Sequence, residues 1–167
     1  LSSALALIGL GANLGDGAAT LGAARRELAA LPGCTLQSCS GLYRSTPVDA
    51  AGPDYWNAVA ALRCDLTPEA LLDALQSIEA AHGRRRPPGS HNAPRTLDLD
   101  LLDFDGLTRQ GARLTLPHPR LHLRAFVLAP LAEILPGWLL ADGETAAHAA
   151  QRLRGQGQRV ERSGDFV

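Results

Sequence analysis

The chain of 167 residues contains no lysine. That excludes a Walker phosphate loop, whose chemistry needs its Lys, and it excludes Schiff-base catalysis. Any bound phosphate must be held by Arg, by backbone N–H groups or by metal. Coding bias also accounts for a lysine-free chain. Cysteine is scarce too: Cys34, Cys39 and Cys64 form no Cys-x-x-Cys pair. Neither a disulfide framework nor a zinc knuckle is suggested, and buried reduced thiols are expected. Aromatics number two Trp, two Tyr and three Phe, so aliphatic side chains must fill the core. No apolar run reaches the roughly 18 residues of a membrane span. Leu1 to Asp16 lacks a basic leader, so no signal peptide is read there and a cytoplasmic location is expected. The formal net charge of -1 gives no bulk attraction for nucleic acid.

The length fits one domain, 1–153, with a polar, fraying tail over 154–167. Strand patterns occupy Ala4 to Gly11, Thr35 to Tyr43, Tyr55 to Cys64 and Thr96 to Phe104. Helical spacing runs from Ala18 to Leu31, stopped by Pro32-Gly33, and from the cap Thr67 to about His82-Gly83. Further helices are expected at Arg124 to Leu135 and Thr145 to Leu153. The stretches Ser45 to Pro53 and Arg84 to Pro94 read as loops. The order is βαββαβ, an α+β ferredoxin-like sandwich with helices on one face of an antiparallel sheet.

The sharpest local feature is Arg95-Thr96-Leu97-Asp98-Leu99-Asp100-Leu101-Leu102. Alternate strand side chains share a face, so Leu97, Leu99 and Leu101 point into the core while Asp98 and Asp100 stand together opposite. Adjacent carboxylates repel unless a cation lies between them, and an all-oxygen pair suits Mg²⁺. A solvent-facing strand would carry the same pattern. Arg84, Arg86 and Arg95 lie just upstream, and Arg113, His118 and Arg124 downstream. Acids with an Arg cluster compose a polyphosphate site, although a salt-bridged outer face is the commoner fate of Arg. Gly9-x-Gly11-x-x-Leu14-Gly15 fails as a dinucleotide fingerprint at its third Gly. His118 and His122 are four apart, but Pro117 and Pro119 prevent a helix from aligning them.

Four segments together resemble the 6-hydroxymethyl-7,8-dihydropterin pyrophosphokinase family of folate biosynthesis. They are Gly9-Leu10-Gly11-Ala12-Asn13-Leu14; Tyr43 to Val48 with Pro53 to Val59; Gly83 to Arg86 running on to Pro94 through Leu101; and Leu116 to Leu121 with Arg124 to Leu131. The likeness spans roughly Ala4 to Pro136. It implies the same ferredoxin-like fold and transfer of pyrophosphate from ATP, with AMP released. It implies that Asp98 and Asp100 hold two Mg²⁺ ions, and that Arg84 and Arg95 close on the phosphates. Gln76, Glu79, Arg86, Leu101, Arg113, Thr115, His118 and Arg124, with Arg95, match positions around ATP. Gly11, Ser45, Thr46, Pro47, Val48, Tyr55, Asn57 and Phe126 match the pterin pocket. Association with other folate-pathway enzymes, by fusion or complex, is compatible with the resemblance, and a monomer is expected. Where the family often has Arg-Trp-Gly before Pro94, this chain has His91-Asn92-Ala93. The departure leaves a catalytically impaired pterin- or nucleotide-binding homologue as the alternative. An RNA-binding ferredoxin-like module is disfavoured, because its stacking aromatics are missing and the candidate strand carries acids.

Overall fold

The structure is a computed structural model, and it describes residues 3–47, 53–83 and 96–166. Strand β1 (Ala4–Ala12) leads to helix α1 (Gly17–Ala29), then β2 (Cys34–Cys39), β3 (Leu42–Ser45) and β4 (Tyr55–Cys64). Helix α2 (Pro68–Ala81) and strand β5 (Asp98–Phe104) follow. A small hairpin, β6 (Arg109–Gln110) and β7 (Thr115–Leu116), precedes α3 (Ala125–Ile134), α4 (Ala146–Gly155) and β8 (Val160–Gly164). The main sheet runs β5-β1-β4-β3-β8, and β2 also pairs with β4. All its pairings are antiparallel.

Local chemistry sets the helix starts. Asp16 accepts from the Ala19 N–H at 3.1 Å, Thr67 from Ala70 at 3.1 Å and Thr145 from His148 at 3.2 Å. Each side chain satisfies a donor that the first helical turn leaves without a partner. At the end of α1, Gly33 adopts φ +80°, a left-handed turn that glycine makes without a Cβ penalty.

The expected βαββαβ core is present, with α1 and α2 on one face. The even residues Ala6, Ile8, Leu10 and Ala12 of β1 pack there with Leu21, Leu28, Leu71 and Leu75. The other face is covered as well, which the two-layer expectation lacked. Leu7, Val59, Ala61 and Leu102 pack against Leu128 and Leu131 of α3 and Ala149 and Leu153 of α4. Strands buried on both faces become continuous apolar runs, and β1 and β4 have that composition.

Two further corrections concern strands. The stretch Thr35 to Tyr43 is two strands, broken where the Ser40 hydroxyl accepts from the Val59 N–H at 3.0 Å. At Gly41 a Cβ would lie 2.6 Å from the Gly164 carbonyl, so only glycine lets β8 approach. The residues after Arg154, expected to fray, instead end α4 and form β8 on the edge of β3. The three cysteines are free thiols. Cys34 faces Cys64 across β2 and β4, and burial, with the Cys64 hydrogen bond, pushes its thiol up to about 12. Among the described residues no helix is long and apolar enough to cross a membrane.

Glu133 of α3 fastens β3 and β8 to the second layer. Its carboxylate accepts from the Gly41 N–H at 3.1 Å, the Tyr43 hydroxyl at 2.8 Å and Arg162 Nε at 3.1 Å. Burial alone would raise its pKa, but the bonds from Arg162, Tyr43 and Gly41 outweigh burial and hold it below the usual range. The Tyr43 phenol is pushed up to about 12 by burial and by this carboxylate. A depressed carboxyl adds stability above its unfolded pKa and loses it as pH falls through the folded value. Glu133→Gln is therefore expected to cost about 1 kcal/mol near pH 7, a melting shift of about 2–4 °C. The shift should shrink towards about pH 3, below the usual carboxylate range. Thermal melts of both proteins across that range check this, and a pH-independent difference would contradict it.

Candidate active site

The strand register brings the carboxylates and the polar residues of β3 and β4 onto one face. Gly11 of β1 lies opposite Asp98 on one side and opposite Asn57 on the other. Gly9 lies opposite Asp100, and Tyr43 opposite Asn57. Leu99 and Leu101 point into the α1–α2 core, so Asp98 and Asp100 alternate to the α3–α4 side. Asn57 shares that side with Val59, two residues along β4. The row Asp98–Gly11–Asn57 thus spans two inter-strand steps, about 10 Å. Its middle member has no side chain, which leaves a groove floor of bare backbone. A Cβ at Gly11 would meet Asn57 Nδ2 at 3.6 Å and the Trp56 carbonyl at 3.9 Å, ordinary contacts both.

At the acidic end, Arg124 precedes the first turn of α3 and brings Nη1 to 4.0 Å from Asp100 Oδ2. Its guanidinium also lies 5.4 Å from the Phe126 ring centre. His118 is fixed to β5 by its N–H, which donates to the Leu102 carbonyl at 2.8 Å. Burial lowers the His118 pKa, Arg124 lowers it further, and Asp98 opposes the shift. The imidazole is therefore neutral at neutral pH. Its Nδ1 accepts from the Arg120 N–H at 3.2 Å, which leaves Nε2 as the N–H donor. Glu79 is buried in α2 and accepts from the Leu99 N–H at 2.8 Å. That bond fixes the edge of β5 between the two aspartates.

At the other end, the Ser45 hydroxyl donates to Asn57 Oδ1 at 2.6 Å, and both residues are buried. Tyr55 lies opposite Ser45, half-buried. The Thr46 N–H donates to the Arg159 carbonyl at 3.3 Å, so β8 supports this wall.

Other expected residues lie on or next to β5, on α2, on the β6–β7 hairpin and beyond β3. The Leu101 side chain is buried in the α1–α2 core, so only its backbone faces the strand edge. Gln76 is exposed on α2, and Arg113 pairs with Asp73 of the same helix. Thr115 lies on β7, and its hydroxyl donates to the Gly111 carbonyl at 3.4 Å. Pro47 is half-buried beyond β3. Val48, Arg84, Arg86 and Arg95 lie outside the described residues. One residue was not singled out by the sequence reading. Asn13, at the end of β1, is 7% exposed, and its Oδ1 has no hydrogen-bond partner among the described residues. An amide just after a glycine-rich strand was the available signal.

Among the described residues no three His, Cys, Asp or Glu side chains gather as a metal cluster. Two carboxylates on one face fit an ion that takes its remaining ligands from substrate and water, as Mg²⁺ does. Acids, a neutral imidazole and a guanidinium at one end, with a buried amide beyond a glycine floor, can seat a charged group beside a flat polar one.

Residues 7–136 match the family model described as 7,8-dihydro-6-hydroxymethylpterin-pyrophosphokinase (HPPK). The chain belongs to that family. It is 44% identical over 158 residues to the 2-amino-4-hydroxy-6-hydroxymethyldihydropteridine pyrophosphokinase of Methylorubrum extorquens, covering 93% of this chain and 98% of the relative. The protein of the same name from Synechocystis sp. is 44% identical over 134 residues, 80% of this chain and 68% of the relative. Among solved structures, wild-type HPPK-DHPS of Plasmodium falciparum superposes with a TM-score of 0.74 at 13% identity. The superposition covers 96% of this chain and 48% of that one, and so shares the fold of about half of a longer protein. The HPPK fold thus carries the second helical layer that the βαββαβ pattern alone does not contain.

Proposed function

We propose that this chain transfers pyrophosphate from ATP to 6-hydroxymethyl-7,8-dihydropterin in folate synthesis, releasing AMP. The observation that carries the reading is the row Asp98–Gly11–Asn57, with a carboxylate end and an amide end on one sheet face. The pterin hydroxymethyl oxygen attacks the β-phosphorus of ATP. The bond from that phosphorus to the oxygen bridging to the α-phosphate breaks, AMP leaves with that oxygen, and the hydroxyl proton is released. Asp98 and Asp100 would hold magnesium, for which two ions are proposed. When bound, magnesium supplies positive charge that offsets the charge developing on the phosphates. Arg124 and the Nε2–H of His118 would donate to the phosphates, and Glu79 keeps the β5 edge in register through the Leu99 N–H. By the family resemblance Arg84 and Arg95 serve the phosphates during transfer, and Arg86, Gln76, Arg113, Thr115 and the Leu101 backbone serve the nucleotide side. Asn57 reads the pterin edge, since an amide both donates and accepts. Ser45, Thr46, Pro47 and Val48 border the ring, and Tyr55 and Phe126 cover its faces. The transfer is largely a matter of positioning.

The test is to incubate protein, ATP, Mg²⁺ and the pterin, then identify both products by mass. A pterin carrying two added phosphoryl groups, with AMP, is expected. A singly phosphorylated pterin with ADP would overturn the assignment.

Gly11 offers a second check. A methyl group fits there without displacing protein atoms, so Gly11→Ala should melt within about 2 °C of wild type. It fills the groove floor, however, and pterin affinity should fall by about tenfold or more. Calorimetric titration with the pterin checks this, and unchanged affinity would place the ring elsewhere.

A further inference from the structure

Helix α3 begins without a cap of its own. Arg124 occupies the capping position with an extended backbone, φ −122° and ψ 103°, and its side chain makes no capping bond. The first turn of a helix leaves donors that must be satisfied from elsewhere. Here the partner comes from 33 residues further along, in the turn between α4 and β8. Gln158 Oε1 accepts from the Ala125 N–H at 2.8 Å, and its Nε2 donates to the Leu123 carbonyl at 2.8 Å. One carboxamide therefore grips the backbone on both sides of Arg124. The turn that presents it is itself pinned. The Gln158 N–H donates to the Leu153 carbonyl and the Gly157 N–H to Arg154, each at 3.1 Å, and Gly157 takes φ +102°.

The neighbouring residue reaches the opposite wall of the groove. The Arg159 carbonyl accepts from Thr46, next to Ser45. Two consecutive residues thus brace both sides of the site, the α3 start through Gln158 and the end of β3 through Arg159. Both lie beyond residue 136, where the family match stops.

We propose that Gln158 is a positioning residue for the transfer reaction, fixing where the Arg124 guanidinium stands relative to Asp100 and to the phosphates. This rests on the function proposed above. Only a group with one acceptor and one donor at this length can satisfy both the N–H and the carbonyl. Without it, the backbone around Arg124 keeps only the long bond from its own N–H to the Leu121 carbonyl, at 3.4 Å, and the bonds its carbonyl accepts from Val127 and Leu128 in the helix that follows.

The test is a double-mutant cycle on pterin-dependent AMP formation, using wild type, Gln158→Met, Arg124→Ala and the double variant. Met keeps the length and volume of Gln and removes both bonds. Gln158→Met should lower kcat/KM by about tenfold, the scale of one lost cap. The loss should lie mainly in kcat or in KM for ATP, with KM for the pterin little changed. In the Arg124→Ala background the same substitution should have almost no further effect, because the group it positions is gone. Equal losses in both backgrounds would make Gln158 merely structural and overturn the proposal. Should Gln158→Met not fold, Gln158→Glu enters the same cycle, since it keeps the acceptor for Ala125 and loses the donor to Leu123. Hydrogen exchange at the Ala125 amide provides a readout independent of turnover. It should speed up in Gln158→Met, and unchanged protection would overturn the clamp. A wild type that forms no AMP with the pterin would overturn the function itself, whereas additive losses with an active wild type overturn only the role of Gln158.

Discussion

Asp98→Ala and Asp100→Ala should each lower pterin-dependent AMP formation by about 10³-fold or more, a loss of about 4 kcal/mol in transition-state stabilisation. Phosphoryl-group transfer leaves little covalent work to the protein, so lost charge organisation falls directly on the rate. The fold should barely notice. Both aspartates are half-exposed, and truncating them opens no cavity in either core layer. Asp100 also faces Arg124 across 4.0 Å, but a pair this long and partly solvated contributes under about 1 kcal/mol. Circular-dichroism melts should therefore place both variants within a few degrees of wild type. A variant that melts normally and turns over normally would remove the carboxylate pair from the mechanism. A variant that unfolds would instead assign the pair a structural duty.

Asn57→Ala should weaken pterin binding by about 10²-fold, because a polar site that loses its partner is left with unpaired buried groups. Asn57 is 4% exposed, and its Oδ1 already holds the Ser45 hydroxyl at 2.6 Å. Its amide nitrogen is directed toward the Gly11 floor. The substitution also strands the Ser45 hydroxyl, at a stability cost of about 1–2 kcal/mol. Ser45→Ala separates the two effects. It leaves the Asn57 amide in place, so affinity should fall by only about threefold or less while the stability cost is similar. Calorimetric titrations of both variants check this. Equal losses of affinity would mean that Asn57 acts by packing alone.

Much of this site could be read without coordinates because its signals are local. In β5, leucines and aspartates alternate, and alternation is what a strand with one wet face dictates. Thr67 and Pro68 mark a helix start within two residues. The misreadings share the opposite property. Strands β1 and β4 are apolar on both faces, so nothing in their pattern distinguishes one covering layer from two. The break at Ser40-Gly41 depends on Val59 and on Gly164, 19 and more than a hundred residues away. Strand β8 has a single buried residue among polar ones, and it forms because the edge of β3 is there to receive it. Gln158 has no local reason to be anything but a turn residue. Its importance to Arg124 comes from a contact 33 residues distant in the chain.

The most direct test of the account is the release of AMP from ATP and Mg²⁺, measured with and without 6-hydroxymethyl-7,8-dihydropterin. Coupled transfer across one sheet face predicts AMP only when the pterin is present, in equal amount to the pterin consumed, and its loss in Asp98→Ala. AMP formed at the same rate without the pterin, or none with the pterin bound, would contradict it.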